Sequence, residues 1–198
     1  MADREIQLIE KAREGDRSAY SELVKQYDRE VLRIAYSMVG NVHDAEDVYQ
    51  DTFMNAWTHL SDFQFQSRFS TWIYRITVNR SMDCLRKRHL RRWFPMHSEE
   101  GESSILAQIQ AEDEEGPDEF VLSAEKRMLV EKSMEKLSPR ERAVFTLRYF
   151  HDLRLQEISE TLKLARGTVK NLLFRASVKM KKQLQPYYPE RKQSGVPA

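Results

Sequence analysis

Apolar residues recur at intervals of three and four positions along most of the chain, which is the spacing of an amphipathic helix. Asp16 is placed to cap the N-terminus of one such helix, and Gly40 is placed to end it. Residues 61–70 are rich in Ser, Gln and Phe and predict a loop. The first half therefore predicts four helices, over about 6–15, 16–40, 45–60 and from 71 onward.

The second half carries the same periodicity from about Asp118. Residues 138–141, Ser-Pro-Arg-Glu, have the form of a capping box with proline at the first helical position, so a helix is expected to begin there. His151 and Asp152 interrupt it, and helices are predicted over 155–162 and about 167–184. Because no segment alternates like a strand, we predict an all-α fold of two small helical domains.

Charge divides the chain further. The 198 residues hold 32 basic and 31 acidic side chains, but residues 98–119 hold nine acids and no base. Residues 75–92 hold seven bases and one acid, and residues 166–192 hold eight bases and one acid. Basic blocks are typical of nucleic-acid contacts and also of plain solvated faces. The acidic block repels itself and predicts a flexible linker. The predicted divisions are a first domain 1–94, a linker 95–117, a second domain 118–186 and a tail 187–198.

Several classes of protein are disfavoured. A single cysteine, Cys84, excludes an internal disulfide and a zinc ribbon, and we expect it to be a small helical residue. No apolar run approaches the ~20 residues of a membrane span, and the N-terminus lacks a signal-peptide core, so a cytoplasmic protein is expected. No nucleotide-binding or catalytic motif is present, so neither enzyme activity nor a cofactor is predicted. No metal site is predicted either, because His43, Asp44, Glu46 and Asp47 are not expected to converge on one helix face.

A helix-turn-helix is predicted by the stretch LQEISETLKLARGTVKNLLFRA, residues 155–176. Ile158, Leu162, Val169 and Leu172 would close the core between its two helices, and Ser159 is the small residue at their crossing. The N-terminal half of the second helix is the part that enters a major groove in this motif. An ordinary helical hairpin with a basic surface is the alternative. The candidate DNA contacts on this second helix are Arg166, Thr168, Lys170, Asn171, Phe174 and Arg175.

Three segments together resemble the sigma-70 family of bacterial transcription initiation factors, in its extracytoplasmic-function (ECF) group. They are NVHDAEDVYQDTFMNAW (41–57), FSTWIYRITVNRSMDCLRKR (69–88) and the helix-turn-helix (155–176), and they occur in the family's order. The resemblance implies that the first domain binds RNA polymerase core and the minus-ten element. It implies that the second domain binds the minus-thirty-five element. It also implies an anti-sigma factor, often membrane-anchored, and a stress or envelope regulon.

The resemblance assigns roles to two sets of residues in the first domain. An acidic and amide-rich helix face would dock on the clamp helices of the largest polymerase subunit, although spacing alone favours a plain solvated face. The aromatic loop and the basic helix after it would hold an unpaired base and the freed strand. The alternative is that most of these aromatic side chains are core, and Phe69 and Trp72 are expected to be. The implied polymerase contacts are Asp44, Glu46, Asp47, Gln50, Asp51 and Asn55. The implied minus-ten contacts are Phe63, Phe65, Ser67, Arg68, Thr71, Arg75, Asn79, Arg80, Arg86, Lys87 and Arg88.

The second domain departs from the family pattern at three positions. Asn171 stands where the family has Ser, and Leu172 stands where it has a basic residue, so one DNA-facing cation is lost. Lys163 occupies the turn position where Gly is common, so the turn either differs or carries the strain of a left-handed non-glycine residue, about 1 kcal/mol.

Two other functions compete with a sigma factor. A self-sufficient helix-turn-helix regulator would bind duplex DNA alone, usually as a symmetric dimer. An interaction protein with a solvated basic surface would bind RNA or another regulator. The loop aromatics and Asn79 favour a sigma factor, because a protein that reads only duplex DNA needs no pocket for an unpaired base.

Overall fold

The computed structural model describes residues 2–93 and 128–187, and these residues contain no strand, which confirms the all-α prediction. The predicted linker 95–117, the predicted domain start at Asp118 and the tail after Tyr187 lie outside the described residues. The helices are α1 (Ala2–Arg13), α2 (Arg17–Val39), α3 (Val42–Thr58), a 3-10 turn (Leu60–Asp62), α4 (Phe69–Trp93), α5 (128–134), α6 (Pro139–Tyr149), α7 (Leu155–Leu162) and α8 (Arg166–Leu184).

Capping residues define both ends of α2 and the start of α3. The Asp16 carboxylate accepts hydrogen bonds from the amides of Ser18 and Ala19 and caps α2. Gly40 ends α2 in the left-handed conformation, with φ 76°, which glycine adopts without steric cost. Asn41 then caps α3 by accepting from the Asp44 amide. These caps confirm the predicted boundaries of α2.

The core of the first unit lies between α1, α2, α3 and the start of α4. Leu23, Val31, Leu60 and Ile73 are almost fully buried there. Each such side chain contributes roughly 1.5–3 kcal/mol through apolar burial. The Tyr27 hydroxyl donates to the Glu5 carboxylate and joins α1 to α2. The unit therefore has its own hydrophobic core, as a small domain needs.

The second unit is built from α5 to α8. The predicted capping box forms: the Glu141 amide donates to Ser138, and the Ser138 amide donates to the Glu141 carboxylate. The same carboxylate accepts from Lys179 of α8 at 2.6 Å, so the start of α6 is tied to the last helix. Met134 and Met180 are buried in the small core that these helices enclose.

The two units pack against each other. Val144 and Leu147 of α6 and Ile158 of α7 are buried in one cluster with Met38 of α2 and Val78 of α4. In this arrangement, called the closed form below, α2 and α4 contact α6, and α4 also contacts α7. The sequence left open how the two predicted domains are arranged relative to each other. In the structure the two units share a hydrophobic core.

Candidate nucleic-acid interface

The helix-turn-helix forms as α7 and α8, joined by a tight turn. Ile158 and Val169 are fully buried between the helices, as predicted. Lys163 ends α7 in the left-handed conformation, with φ 51° and ψ 45°. The Ser159 hydroxyl donates to the Leu164 carbonyl at 2.6 Å and fixes the turn. The turn therefore keeps the geometry that glycine usually supplies and carries the strain of a lysine there.

The outer face of α8 is open to solvent and polar or basic. Phe174 is 71% exposed, which is unusual for a large aromatic side chain and suits contact with a partner. Leu172 and Leu173 are half-buried and pack into the core beneath. All six predicted minus-thirty-five contacts are exposed, namely Arg166, Thr168, Lys170, Asn171, Phe174 and Arg175.

The aromatic loop before α4 divides into buried and exposed rings. Phe63 is buried, with its ring centroid 5.6 Å from that of Phe69 and 5.3 Å from that of Trp72. Phe65 is 39% exposed and adopts φ 54°, and its ring centroid lies 5.0 Å from that of Phe63 with the two ring planes tilted by 59°. The Arg13 guanidinium lies over the Phe65 ring at 5.8 Å. Phe65 is thus the ring of this loop that faces solvent, while Phe63 supports it from below.

The remaining predicted loop and helix residues differ in accessibility. Arg68 and Asn79 are exposed, Ser67 and Arg80 are half-buried, and Thr71 is buried. Thr71 and Phe63 are therefore placed to shape the loop, whereas Asn79 stands on its surface. Arg80 lines an open groove between α3 and α4, together with Asp51, Met54, Asn55, Thr58 and His59.

The basic residues of α4 are partly committed to contacts within the chain. Arg86 pairs with Asp83 one turn earlier, while Lys87 is exposed. Arg88 donates to the Val39 carbonyl at 3.0 Å and to Asp44 at 3.3 Å. The Arg75 guanidinium donates to carbonyls of α7, and burial lowers the pKa of Arg75. Three of the predicted minus-ten cations, Arg75, Arg86 and Arg88, therefore make contacts within the chain and are not all available to DNA in this arrangement.

The predicted polymerase face lies along α3. Asp47, Gln50 and Asp51 are exposed, and Asp44, Glu46 and Asn55 are half-buried. Asp44 is fixed in place, since its carboxylate accepts from Asn41 at 2.8 Å and from Arg88. The exposed surface of this face is consequently centred on residues 47–51.

Three of the residues judged unable to form a metal site do come together. Ligand atoms of His43, Asp44 and Asp47 lie within 4.8 Å of one another, and His43 Nδ1 is 3.6 Å from Asp47. The expectation that the four residues do not converge is wrong for these three, because Asp47 lies four positions after His43 and three after Asp44, and both spacings are neighbours on a helix surface. Within this cluster the Asp44 carboxylate also accepts hydrogen bonds from Asn41 and Arg88.

Two polar residues that the sequence did not single out lie between the units. Arg142 of α6 is 4% exposed, and its Nε donates to the Ser37 carbonyl at 3.3 Å. Burial, with a contribution from nearby Arg88, lowers the pKa of Arg142 to about 10, so it remains a cation at neutral pH. The buried ring of His151 lies against Glu30 of α2. The sequence around Arg142 and His151 carries no signal that distinguishes them from an ordinary surface arginine or histidine.

Cys84 lies half-buried on α4, as predicted for a small helical residue. Burial and the neighbouring Asp44 carboxylate raise the pKa of its thiol to about 11. A thiol with so little thiolate is a poor nucleophile and metal ligand. Across residues 2–93 and 128–187, no helix has the length and apolarity that a membrane crossing requires.

The family model for Sigma-70 region 2 matches residues 23–91, and that for Sigma-70, region 4, matches residues 127–180. The two matches cover the first unit and the helix-turn-helix unit. The chain belongs to the sigma-70 family.

Curated relatives place this sigma factor in the ECF group. It is 33% identical to the ECF RNA polymerase sigma factor SigW of Bacillus subtilis, over 89% of this chain and 94% of that protein. It is 31% identical to the ECF RNA polymerase sigma-E factor of Escherichia coli K12, over 90% of this chain and 93% of that protein. The protein is therefore an RNA polymerase sigma factor, and its family consists of transcription initiation factors.

Solved structures share the fold of this sigma factor. CnrH, determined in complex with the cytosolic domain of CnrY, matches with a TM-score of 0.64 and 25% identity over 94% of this chain and 99% of that chain. The sigma factor RpoE of Bartonella quintana, determined with the anti-sigma factor NepR, matches with a TM-score of 0.61 and 19% identity over 84% of this chain and 96% of that chain. The two-unit helical architecture is thus common to these proteins.

Proposed function

We propose that residues 1–94 bind RNA polymerase core and the minus-ten element, and that residues 118–186 bind the minus-thirty-five element. Residues 95–117 connect them. The protein acts in the cytoplasm by binding alone, melts promoter DNA with binding energy and performs no covalent chemistry. The observation that carries this proposal is the exposed row of polar and basic side chains on α8, held by a buried helix-turn-helix core.

Contacts to the minus-thirty-five element follow from the chemistry of that row. Arg175 can bind guanine through two hydrogen bonds, and Asn171 can bind adenine in the same way. Lys170 is suited to a phosphate, which positions the helix without reading sequence. Phe174 offers an apolar surface to a thymine methyl group. All these side chains are accessible in the closed form.

Contacts to the minus-ten element centre on Phe65, Asn79 and Arg80. An exposed ring can stack on an unpaired base, and an exposed amide can bind its edge. Arg68 and Lys87 are exposed cations that can follow the strand backbone. Phe63 and Thr71 are buried and would act by holding the loop in shape.

Polymerase binding is assigned to the α3 face around Asp47, Gln50 and Asp51. Exposed carboxylates and amides suit a basic helical partner and favour a specific orientation. The groove that places Arg80 beside Asp51 and Asn55 brings this face next to the minus-ten contacts. Polymerase and the melted strand would therefore be bound on adjacent surfaces of one unit.

The proposal includes regulation by an anti-sigma factor, which in this family is often anchored in the membrane. It also includes control of a stress or envelope regulon. Support comes from two fold relatives that were determined as complexes, CnrH with CnrY and RpoE with NepR. The relatives SigW and sigma-E carry the ECF description in their names.

The test is capture of bacterial RNA polymerase core by the full chain, followed by transcription from genomic fragments. We expect a stable complex and discrete new transcription starts. The variant Asn79→Ala should bind core normally and lose promoter opening, with Gln26→Ala as the matched control for an exposed amide elsewhere. Tight duplex binding by the chain alone, with no core binding, would instead establish a conventional helix-turn-helix regulator.

A further inference from the structure

A cleft of about 500 Å³ lies between α4 of the first unit and residues 135–142 of the second. This volume is within the range of about 300–1,000 Å³ that is typical of small-molecule sites in proteins. Its described lining residues include none from α3 and none from α8, so it is separate from the predicted polymerase face and from the recognition helix. Leu85, Leu137 and Pro139 give it an apolar wall, and the rest of its lining is mostly basic.

Four permanently cationic side chains line this cleft, together with one carboxylate among the described residues. The cations are Arg86, Arg88, Lys136 and Arg142, and the carboxylate is that of Glu135. Arg86 and Arg88 are already paired, with Asp83 and Asp44 respectively. Lys136 is exposed and makes no ion pair within residues 2–93 and 128–187. The cleft therefore has an excess of positive charge at neutral pH.

Arg142 is the buried cation of this cleft. Its side chain donates to the Ser37 carbonyl, which is a neutral acceptor. Burial lowers the pKa of Arg142 most and nearby Arg88 lowers it further, whereas Glu135 and Glu131 raise it without forming an ion pair with it in the described part of the chain. Burial of a charge is unfavourable unless the charge is paired. An anion bound in the cleft would supply the missing partner.

We propose that this cleft is a binding site for a nucleoside triphosphate. Guanidinium groups bind phosphate through paired hydrogen bonds, and a lysine ammonium binds it as a point charge. A single phosphate would use few of the four cations and would leave the apolar wall uncovered. A nucleoside triphosphate satisfies both parts of the lining, because its phosphates suit the cations and its base and ribose suit Leu85, Leu137 and Pro139. Because the cations come from both units, the ligand would join α4 to α6.

This site goes beyond the proposed function and does not rest on it. Arg86 and Arg88 are also among the implied minus-ten contacts, whereas Glu135, Lys136 and Arg142 are outside all the proposed DNA and polymerase contacts. Substitutions at these last three positions therefore test the cleft separately from the promoter residues. A chain that binds no nucleotide would leave the promoter assignment intact, and a chain that binds no promoter would leave the cleft intact.

Calorimetric titration of the full chain tests the site with three probes, which are magnesium-free adenosine triphosphate, inorganic triphosphate and adenosine. We expect adenosine triphosphate to bind most tightly, inorganic triphosphate to bind more weakly because it cannot cover the apolar wall, and adenosine to bind most weakly because it has no charge for the cations. Adenosine triphosphate should also raise the thermal midpoint in a concentration-dependent way, since the ligand binds the folded chain. Sodium chloride at the same ionic strength controls for screening of charges.

Substitutions in the lining should change the affinity in both directions. Lys136→Ala and Arg142→Gln should each weaken binding of adenosine triphosphate about tenfold, because each removes charge-assisted hydrogen bonds. Glu135→Gln should strengthen binding several-fold, because it removes a negative charge from the lining. A gain in affinity is a result that damaged packing does not produce. Lys132→Ala on α5 and Arg148→Gln on α6 are the matched controls outside the lining and should leave the Kd unchanged.

Thermal unfolding without ligand shows which variants fold. If Arg142→Gln does not, Lys136→Ala and Glu135→Gln still decide the result, because both side chains are exposed. The inference is overturned if the wild type binds none of the probes, or if binding is the same in the wild type, Lys136→Ala and Glu135→Gln. A short single-stranded oligonucleotide is the competing polyanion. If it binds more tightly than adenosine triphosphate and loses affinity in Lys136→Ala, the cleft is a nucleic-acid contact and the inference is wrong.

Discussion

The Nδ1 atom of His151 lies 3.0 Å from the Oε2 atom of Glu30, in a contact that joins the segment after α6 to α2. The His151 side chain is 3% exposed, whereas the Glu30 side chain is 39% exposed. The hydrogen bond from His151 lowers the pKa of Glu30 below its ordinary value, more than partial burial raises it. The ionised form of Glu30 therefore stabilises the closed form more than the protonated form does.

Acidification should weaken the closed form through Glu30. Because the folded-state pKa lies below the ordinary 4.5, the stabilisation is complete above pH 4.5 and is lost as the pH falls through the lower folded value. Glu30→Gln should therefore lower the urea midpoint at pH 7 and have a diminishing effect below pH 4.5. Urea unfolding at several pH values measures this, with Glu14→Gln as an exposed control. A difference that persists unchanged into acid would show that Glu30 acts through packing.

Arg175→Ala should reduce affinity for the minus-thirty-five element by about 1–3 kcal/mol if the guanidinium reads a base. The side chain is exposed on the outer face of α8, so its removal should leave the fold intact. Binding is measured against the matching duplex and against duplexes with single base changes. Loss that is uniform across all sequences would identify Arg175 as a phosphate contact.

Cys84 should react slowly with thiol reagents. A thiol pKa of about 11, against the ordinary 9.0, reduces the thiolate fraction at neutral pH, and the alkylation rate with it, by about a hundredfold. Asp44→Asn should accelerate alkylation, because the Asp44 carboxylate contributes to the raised pKa after burial. Asp51→Asn, which removes a carboxylate of α3 that is exposed, is the control. Alkylation at the rate of a free cysteine would contradict this environment.

Lys163→Gly should stabilise the helix-turn-helix by up to about 1 kcal/mol. Glycine removes the strain of the left-handed conformation at φ 51°, and its greater freedom in the unfolded chain offsets part of the gain. Lys163→Val should destabilise it, because a β-branched residue is still less suited to this conformation. Chemical unfolding of the full chain measures the change in the free energy of unfolding for both variants, which should be opposite in sign. Equal effects of the two substitutions would mean that the turn rearranges.

Local chemistry made much of this fold predictable. The Asp16 cap, the Gly40 end of α2 and the Ser138 capping box each depend on residues within a few positions of one another, so the sequence alone indicated them. The exposed row on α8 followed from helical spacing and the buried Ile158 and Val169. Family membership followed from three motifs in order, and the family matches confirmed it.

The aromatic loop was only partly predictable. Phe63 and Phe65 have the same side chain and stand two positions apart, yet one is buried and the other faces solvent. The difference arises because Phe65 adopts a left-handed backbone conformation in a loop that has no periodicity to indicate orientation. Convergence of His43, Asp44 and Asp47 likewise depends on side-chain directions at a helix start.

The helices, the helix-turn-helix and the family were predictable from the sequence, because each depends on residues close together in the chain. The shared core of the two units, and the contacts of Arg75 and Arg142 with helix ends across it, arise from packing between distant segments. Arg75 and Thr161 are separated by 86 positions, and Arg142 and Ser37 by 105. Neither partner is recognisable locally, since an arginine bound to a distant backbone carbonyl is identical in sequence to an arginine bound to water.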